Sequence, residues 1–477
     1  MRRTLASTTL ASIVLAASVF APPVAAEPSA DPVAAVEARR ARSAELAARL
    51  WDWAELGYLE EKSSKLLRDE LAGAGFRIRS GVADIPTAFV AEWGEGEPVI
   101  GILAEFDALP GLSQAAVPRR EPRVDGAAGQ ACGHHLFGAG STAAALAVRE
   151  WLEARGGSGT IRLYGTPAEE GGSGKVYMAR AGLFEDVAAV FHWHPDDEND
   201  ASPYSTLANR SAKFRFRGVA AHASAAPHRG RSALDGVEAM NHMVNLLREH
   251  VPSTVRIHYV ITQGGLAPNV VPERAEVFYY VRHPTARGLL EVWPRVEAAA
   301  RGAALGTGTD VEWEVIHGNH PVLPNETLAR VMDQALRRVG GPVWDESDRV
   351  FAAELAATLP ASTRDPSEIA PFAPQSRQGS TDVGDLSWLV PTTSVRTATW
   401  VPGTSAHTWQ AVAAGGTGVG EKGMTVAAKT LALAAVALYE QPELLAEAHA
   451  EMLRRRGADF DYQPLLGDRD PPLDYRR

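Results

Sequence analysis

The alternation of apolar and polar positions divides the chain into two kinds of segment. The first kind is a short unbroken apolar run. Val99-Ile100-Gly101-Ile102-Leu103-Ala104 leads into Glu105-Phe106-Asp107 and the turn Pro110-Gly111. That order predicts a fully buried strand ending in carboxylates. Residues 136–155 are Ala-rich and predict a helix. Residues 160–164 predict a second strand, running into Thr166-Pro167-Ala168-Glu169-Glu170-Gly171-Gly172. A helix over about 175–181 and a strand over 187–191 follow, and that strand runs into His192-Trp193-His194-Pro195. Strands alternating with helices predict an α/β domain, a mostly parallel sheet with helices on both faces. In such sheets, sites form at the carboxyl ends of the strands. The Asp, Glu-Glu and His groups all fall there.

From residue 211 the pattern changes to strict alternation. Residues 211–217, 255–261 and 311–315 alternate apolar and polar, which predicts strands with one covered face, and 275–281 reads as a further strand. Leu234, Val237, Met240, Val244 and Leu247 are spaced for one helix, and 287–305 reads as another. The order β-α-β-β-α-β is that of a ferredoxin-like α+β unit. The expected organisation is a catalytic domain over 27–208 and 319–447, an inserted domain over 209–318, and a tail over 448–477. The Asp/Pro-rich end of the tail is expected to wrap or fray. Two loops in the returning segment carry further polar groups, Gly379-Ser380-Thr381-Asp382 and Pro402-Gly403-Thr404-Ser405-Ala406-His407.

The first 26 residues read as something other than fold. Arg2 and Arg3 precede an apolar run over 10–21 and the A-x-A-like end Val24-Ala25-Ala26. This is the pattern of a secretory signal peptide. The run is shorter than the roughly 20 residues a membrane span needs, and no other stretch reads as one. The expectation is a secreted or periplasmic protein, with no membrane attachment in the mature form. The formal net charge of -11 argues against nucleic acid as a partner.

Export sharpens one observation. The chain has a single cysteine, Cys132, in Cys132-Gly133-His134-His135. An exported protein normally pairs its cysteines, and this one has no mate. It is a buried small hydrophobe, a free nucleophile or a metal ligand. Cys-x-His sets two donors suited to zinc or manganese two residues apart, but the pair alone leaves the first reading as good as the third.

Seven segments in order, AEFDALPGLSQ, ACGHHLFG, TPAEEGGSGK, HWHP, GGLAPNVVPERAEVFYYVR, TDVGDLSW and GTSAHTWQ, resemble the amidohydrolase branch of the aminoacylase and carboxypeptidase G type of metallopeptidase. The resemblance implies a di-metal exopeptidase-like catalytic domain with an inserted lid and dimerisation domain. It also implies two divalent ions, Zn²⁺ or Mn²⁺, a small amide or dipeptide substrate, and a homodimer formed through the lid. By the same resemblance Cys132, His134, Glu170 and His407 are metal ligands. His192 and His194 both stand in the fourth motif, and reading His-Pro as the family's pair favours His194. Glu169 matches the general base, and Asp107 a carboxylate that orients the site. His222 matches a lid histidine facing the oxyanion, often across a dimer interface. Asn269 and Arg282 match groups that hold a substrate carboxylate. The implied reaction is hydrolysis of an N-acyl or N-aroyl amino acid of the aminobenzoyl-glutamate kind. A dipeptidase, a metal-inert binding protein on the same fold and a hydrolase with Cys132 as nucleophile are the alternatives. Relatives place other residues at Gln130 and His135, so His135 either perturbs a metal or caps the helix.

Overall fold

Unbroken apolar runs become the interior of a six-stranded sheet in the computed structural model, which describes residues 30–476. The expected leader lies outside the described residues. The strand order is Arg77–Ser80, Phe89–Glu95, Gly159–Gly165, Val99–Ala104, Ala189–Asp196, Thr392–Ala398. The pairs among the last four strands are parallel. Every residue of Val99–Ala104 and Gly159–Gly165 is buried, as expected of central parallel strands. The first two strands are antiparallel additions that the apolar pattern does not announce. Arg77–Ser80 is largely exposed, and Phe89–Glu95 is buried only in its first half.

Helix His134–Arg155 packs on three of the buried strands, and helix Gly418–Glu440 packs against it and against the last two strands. By length and composition Gly418–Glu440 qualifies as a membrane span, which corrects the reading that nothing beyond the leader does. It is a core helix, because most of it is enclosed by protein.

The alternating segments form a four-stranded antiparallel sheet in the order Asp310–Asn319, Ala208–Arg217, Arg274–His283, Arg256–Gln263. Helices Ala233–Leu247 and Ala286–Thr307 close a separate core with it. Ser232 and Thr285 cap these helices with their side-chain oxygens. The pattern predicts Tyr259 and Ile261 on the covered face. Both are exposed, because Arg256–Gln263 is the free edge and only its start is covered.

Helix Glu443–Arg456 runs through residue 448, so the tail proper begins after Arg456. The tail wraps. Leu465 is buried in the core of the second sheet and Leu466 in that of the first, each contributing about 1.5–3 kcal/mol of burial. Arg469 pairs with Glu314 at 2.6 Å, Tyr462 donates to Asp385 at 2.8 Å, and Arg180 donates to the Gly467 carbonyl at 3.2 Å. The segment thus ties both sheets together before it reaches the carboxyl ends of the parallel strands.

Candidate metal centre

Five chain segments meet where the parallel strands end. Glu105 and Asp107 follow the Val99–Ala104 strand, and Glu169 and Glu170 follow Gly159–Gly165. His192 and His194 lie in the middle and the last half of Ala189–Asp196. His407 lies in the loop after Thr392–Ala398. Cys132 and His134 bracket Gly133, which precedes the central helix and has φ 77°. A β-carbon at Gly133 would stand 2.7 Å from Pro195, so only glycine permits both the turn and the close approach of the histidine strand.

Cys132 is the hub. Its Sγ lies 3.4 Å from His194 Nε2. His194 Nδ1 is 2.7 Å from the Pro195 carbonyl and donates to it, which leaves the Nε2 lone pair facing the thiol. His134 is set the same way: Nδ1 donates to Asp107 Oδ1 at 2.9 Å, and Nε2 points inward, 3.0 Å from Glu105 Oε2. The second Asp107 oxygen accepts from the Glu170 amide at 2.9 Å. One carboxylate therefore orients two neighbours. His407 Nε2 lies 3.1 Å from Glu170 Oε1.

Three groups of donor atoms lie within 4.8 Å of one another: Cys132, His134 and His194; Cys132, Glu170 and His407; Glu105, His134 and Glu169. Although Glu105 Oε2 faces His134 Nε2 and Glu170 Oε1 faces His407 Nε2 at close range, Glu105 Oε2, His134 Nε2 and Glu170 Oε1 are buried and make no aligned hydrogen bond. Orphaned buried lone pairs of this kind are costly unless something satisfies them. Thiolate, imidazole and carboxylate together fit a borderline divalent cation, so the donor set suits the implied metals.

The electrostatics agree with a donor set suited to a cation. Burial pushes the Glu169 carboxyl well up, and Glu105 and Glu170 push it further. Burial raises the Cys132 thiol against the pull of His134. Burial opposes a charge on His134, yet Cys132, Glu105 and Asp107 hold its imidazole well above the ordinary value. Cys132 and Glu170 hold His407 up at about 11. Carboxylates and the thiol favour positive charge at His134 and His407, whereas burial and the nearby Arg396 push His194 well down; a cation among these donors would answer the same crowding of negative groups.

The backbone is held in uncommon conformations here. Ala168 has φ 57° and His407 φ 63°, each at a cost of roughly 1–2 kcal/mol for a residue with a β-carbon. Buried Glu60 accepts from the Ala168 amide at 2.8 Å, and His407 donates its own amide to the Ala131 carbonyl at 2.9 Å. Strain held by such contacts at one spot is a mark of functional geometry.

His192 takes no part in the ligand groups among the described residues. Its ring is buried, Nε2 stands 3.4 Å from Tyr204 Oη, and burial with Lys175 and Arg396 lowers it to about 3. His135 turns away: Nε2 meets the Gly415 carbonyl at 3.0 Å, its amide donates to Gln130 Oε1 at 3.1 Å, and burial lowers it to about 4. It is a neutral pin between the central helix and residue 415.

Above these groups lies a cavity of about 740 Å³. Glu169, Glu170, Arg282 and His407 line it. His222 and Asn269 do not line it in this chain. His222 is exposed, its Nδ1 accepting from the Ser224 and Ala225 amides. Asn269 is exposed beside it and accepts the Ala223 amide.

Five contributors escape sequence reading. Lys175 is fully buried and joins Glu105 and Asp382, each at 2.7 Å. Breaking such a buried cluster costs about 3–5 kcal/mol. Glu105 and Asp382 sit in the resembling segments, yet nothing in those segments marks them as partners of a lysine, and Glu60 lies in none. The fifth, Arg476, arrives from the tail and lines the cavity.

The model of peptidase family M20/M25/M40 matches residues 101–379. A p-aminobenzoyl-glutamate hydrolase subunit from Escherichia coli is 42% identical over 447 residues, 87% of this chain and 93% of that protein. The mouse Xaa-Arg dipeptidase is 31% identical, over 85% of this chain and 87% of its own length. Among solved structures, a dinuclear metal-binding peptidase of the M20 family from Bacillus subtilis shares the fold with a TM-score of 0.56 at 22% identity. That likeness covers 85% of this chain and 99% of the other.

Proposed function

The chain belongs to peptidase family M20/M25/M40, and on that premise we propose that this metal-dependent amidohydrolase cleaves the amide of an N-aroyl or N-acyl amino acid, a glutamate conjugate of the aminobenzoyl kind, outside the cytoplasm. The observation that carries the reading is the sharing of Cys132 between two donor groups, with His134 and His194 on one side and Glu170 and His407 on the other. These five residues would hold two divalent ions, Zn²⁺ or Mn²⁺. When bound, the ions bring the pKa of a water towards neutrality and polarise the amide carbonyl.

The protein's own groups do the rest. Glu169 sits in the same cavity with its proton affinity raised by burial and by Glu105 and Glu170. It takes one proton as the water oxygen attacks the carbonyl carbon, and gives that proton to the nitrogen as the C–N bond breaks. The products are a carboxylate and an amine. Asp107 keeps His134 in the tautomer that presents Nε2. Arg282, whose Nη1 donates to Ser380 at 2.9 Å, faces the cavity to receive the substrate carboxylate.

A screen of purified, metal-loaded protein against N-aroyl and N-acyl amino acids and Xaa-Arg dipeptides tests the substrate class. Turnover of aminobenzoyl-glutamate is the expected result; turnover of dipeptides alone would favour the dipeptidase reading.

His222 supplies the oxyanion donor to the site of a second copy. Its exposure, and the bare edge with Tyr259, Val260 and Ile261, support a homodimer joined through the second sheet. Glu169→Gln and His222→Ala protein, each inactive alone, are expected to regain activity when mixed and allowed to exchange protomers. Mixtures that stay inactive despite exchange would place His222 outside the reaction.

A further inference from the structure

The cavity holds more positive charge than one substrate carboxylate needs. Four arginines line it: Arg282, Arg377, Arg396 and Arg476. Two of them are committed. Arg396 pairs with Asp196 at 2.5 Å, and Arg377 with Asp200 at 3.0 Å. Among the described residues, Arg282 and Arg476 have no ion pair, and the Nε atom of each is buried without a partner. No acidic group of the cavity forms an ion pair with them, although Glu169 acts on Arg282 and Glu170 on Arg476 through their charge: Glu105 is bound to Lys175, and Glu170 faces His407.

The two free guanidinium groups lie in one place. Arg282 stands over the Tyr280 ring at 5.6 Å. Tyr280 Oη and Arg476 Nη2 both border Gly171, where a β-carbon would meet them at 3.5 and 3.8 Å. Arg476 is held rather than loose. It stacks over Tyr475 at 4.8 Å and donates to the Glu170 carbonyl at 2.5 Å, and Tyr475 Oη donates to the same carbonyl at 3.0 Å. The tail that delivers it is anchored by Leu465 and Leu466 in the two cores. A fixed, half-buried guanidinium with an unmet donor is set to receive an anionic oxygen.

We propose that Arg476 is a specificity-determining residue that, beside Arg282, forms a two-guanidinium subsite selecting a leaving amino acid with two carboxylates. This rests on the amidohydrolase reading above and extends it. Arg282 takes one carboxylate, common to every N-acyl amino acid, and Arg476 takes the second. Two unpaired cations also disfavour a cationic leaving group such as arginine.

The test compares kcat/KM for aminobenzoyl-glutamate and aminobenzoyl-glutamine in wild type, Arg476→Ala and Arg476→Lys, all metal-loaded and with matched melting temperatures. Arg476→Ala is expected to lower the glutamate-to-glutamine ratio about 10- to 100-fold, the size of one charge-assisted contact. Any loss on the glutamine conjugate, through the Glu170 carbonyl that Arg476 also holds, should be smaller by that factor, and Arg476→Lys should recover part of the ratio. Equal loss on both conjugates, or no change, would overturn the proposal. Calorimetric binding of glutarate against butyrate separates the two layers. If wild type cleaves neither conjugate yet glutarate binding weakens in Arg476→Ala, the anion subsite stands and the substrate reading fails. If glutarate binds both proteins alike, the subsite is refuted whatever the activity.

Discussion

Glu169→Gln is expected to lower kcat by about 10²- to 10⁴-fold while metal content and folding stay as in the wild type. The substitution keeps the shape of the side chain and removes its ability to take up and release a proton. It leaves Cys132, His134, Glu170, His194 and His407 in place. Glu169 is also near Glu105 and His134, so a role as ligand is the competing account of its position. The two accounts differ in one readout. A base that does not hold metal gives an inactive, fully metallated protein; a ligand gives a protein depleted of metal. Steady-state kinetics with elemental analysis on the same sample decides, and a variant that hydrolyses at the normal rate would remove Glu169 from the mechanism.

Cys132→Ala should act on metal first and on rate as a consequence. The thiol belongs to two donor groups at once, so its loss weakens both sites, and affinity is expected to fall on the order of 100-fold or more, beyond the effect of losing a supporting hydrogen bond. In the wild type, chelation should abolish activity, and Zn²⁺ or Mn²⁺ should restore it. Because Cys132 is the only cysteine in the chain, iodoacetamide labelling reads this residue alone. Chelated protein should label, and metal-loaded protein should resist. A hydrolase with Cys132 as nucleophile would behave oppositely, surviving chelation and losing activity to the alkylating agent.

The residues legible in the sequence are of two kinds. Glu169, Glu170 and His194 are reactive types just past apolar runs, and a parallel sheet gathers such ends by construction, whereas Cys132, before a helix, and His407, in a polar loop, are marked only by the resembling motifs. Lys175, Glu105 and Asp382 are equally buried, but a charged side chain in sequence does not disclose whether its partners neutralise it in the interior. Glu60 sits before a helix and looks like an ordinary helix-start acid. Its role depends on a turn 108 residues away. Arg476 is reached only by following the tail across both cores. His222 and Asn269 are recognisable by motif, yet one chain leaves them exposed, since a motif carries no information on which copy it serves. The antiparallel strands at Arg77–Ser80 and Phe89–Glu95 escape the pattern because solvent reaches them and polar residues interrupt the apolar runs.

Anomalous scattering from crystals of the Zn²⁺- or Mn²⁺-loaded protein examines the shared thiol most directly. The arrangement calls for two peaks close to the Cys132 sulfur, one beside His134 and His194, the other beside Glu170 and His407. Peaks elsewhere, or none near that sulfur in protein that hydrolyses its substrate, would contradict it.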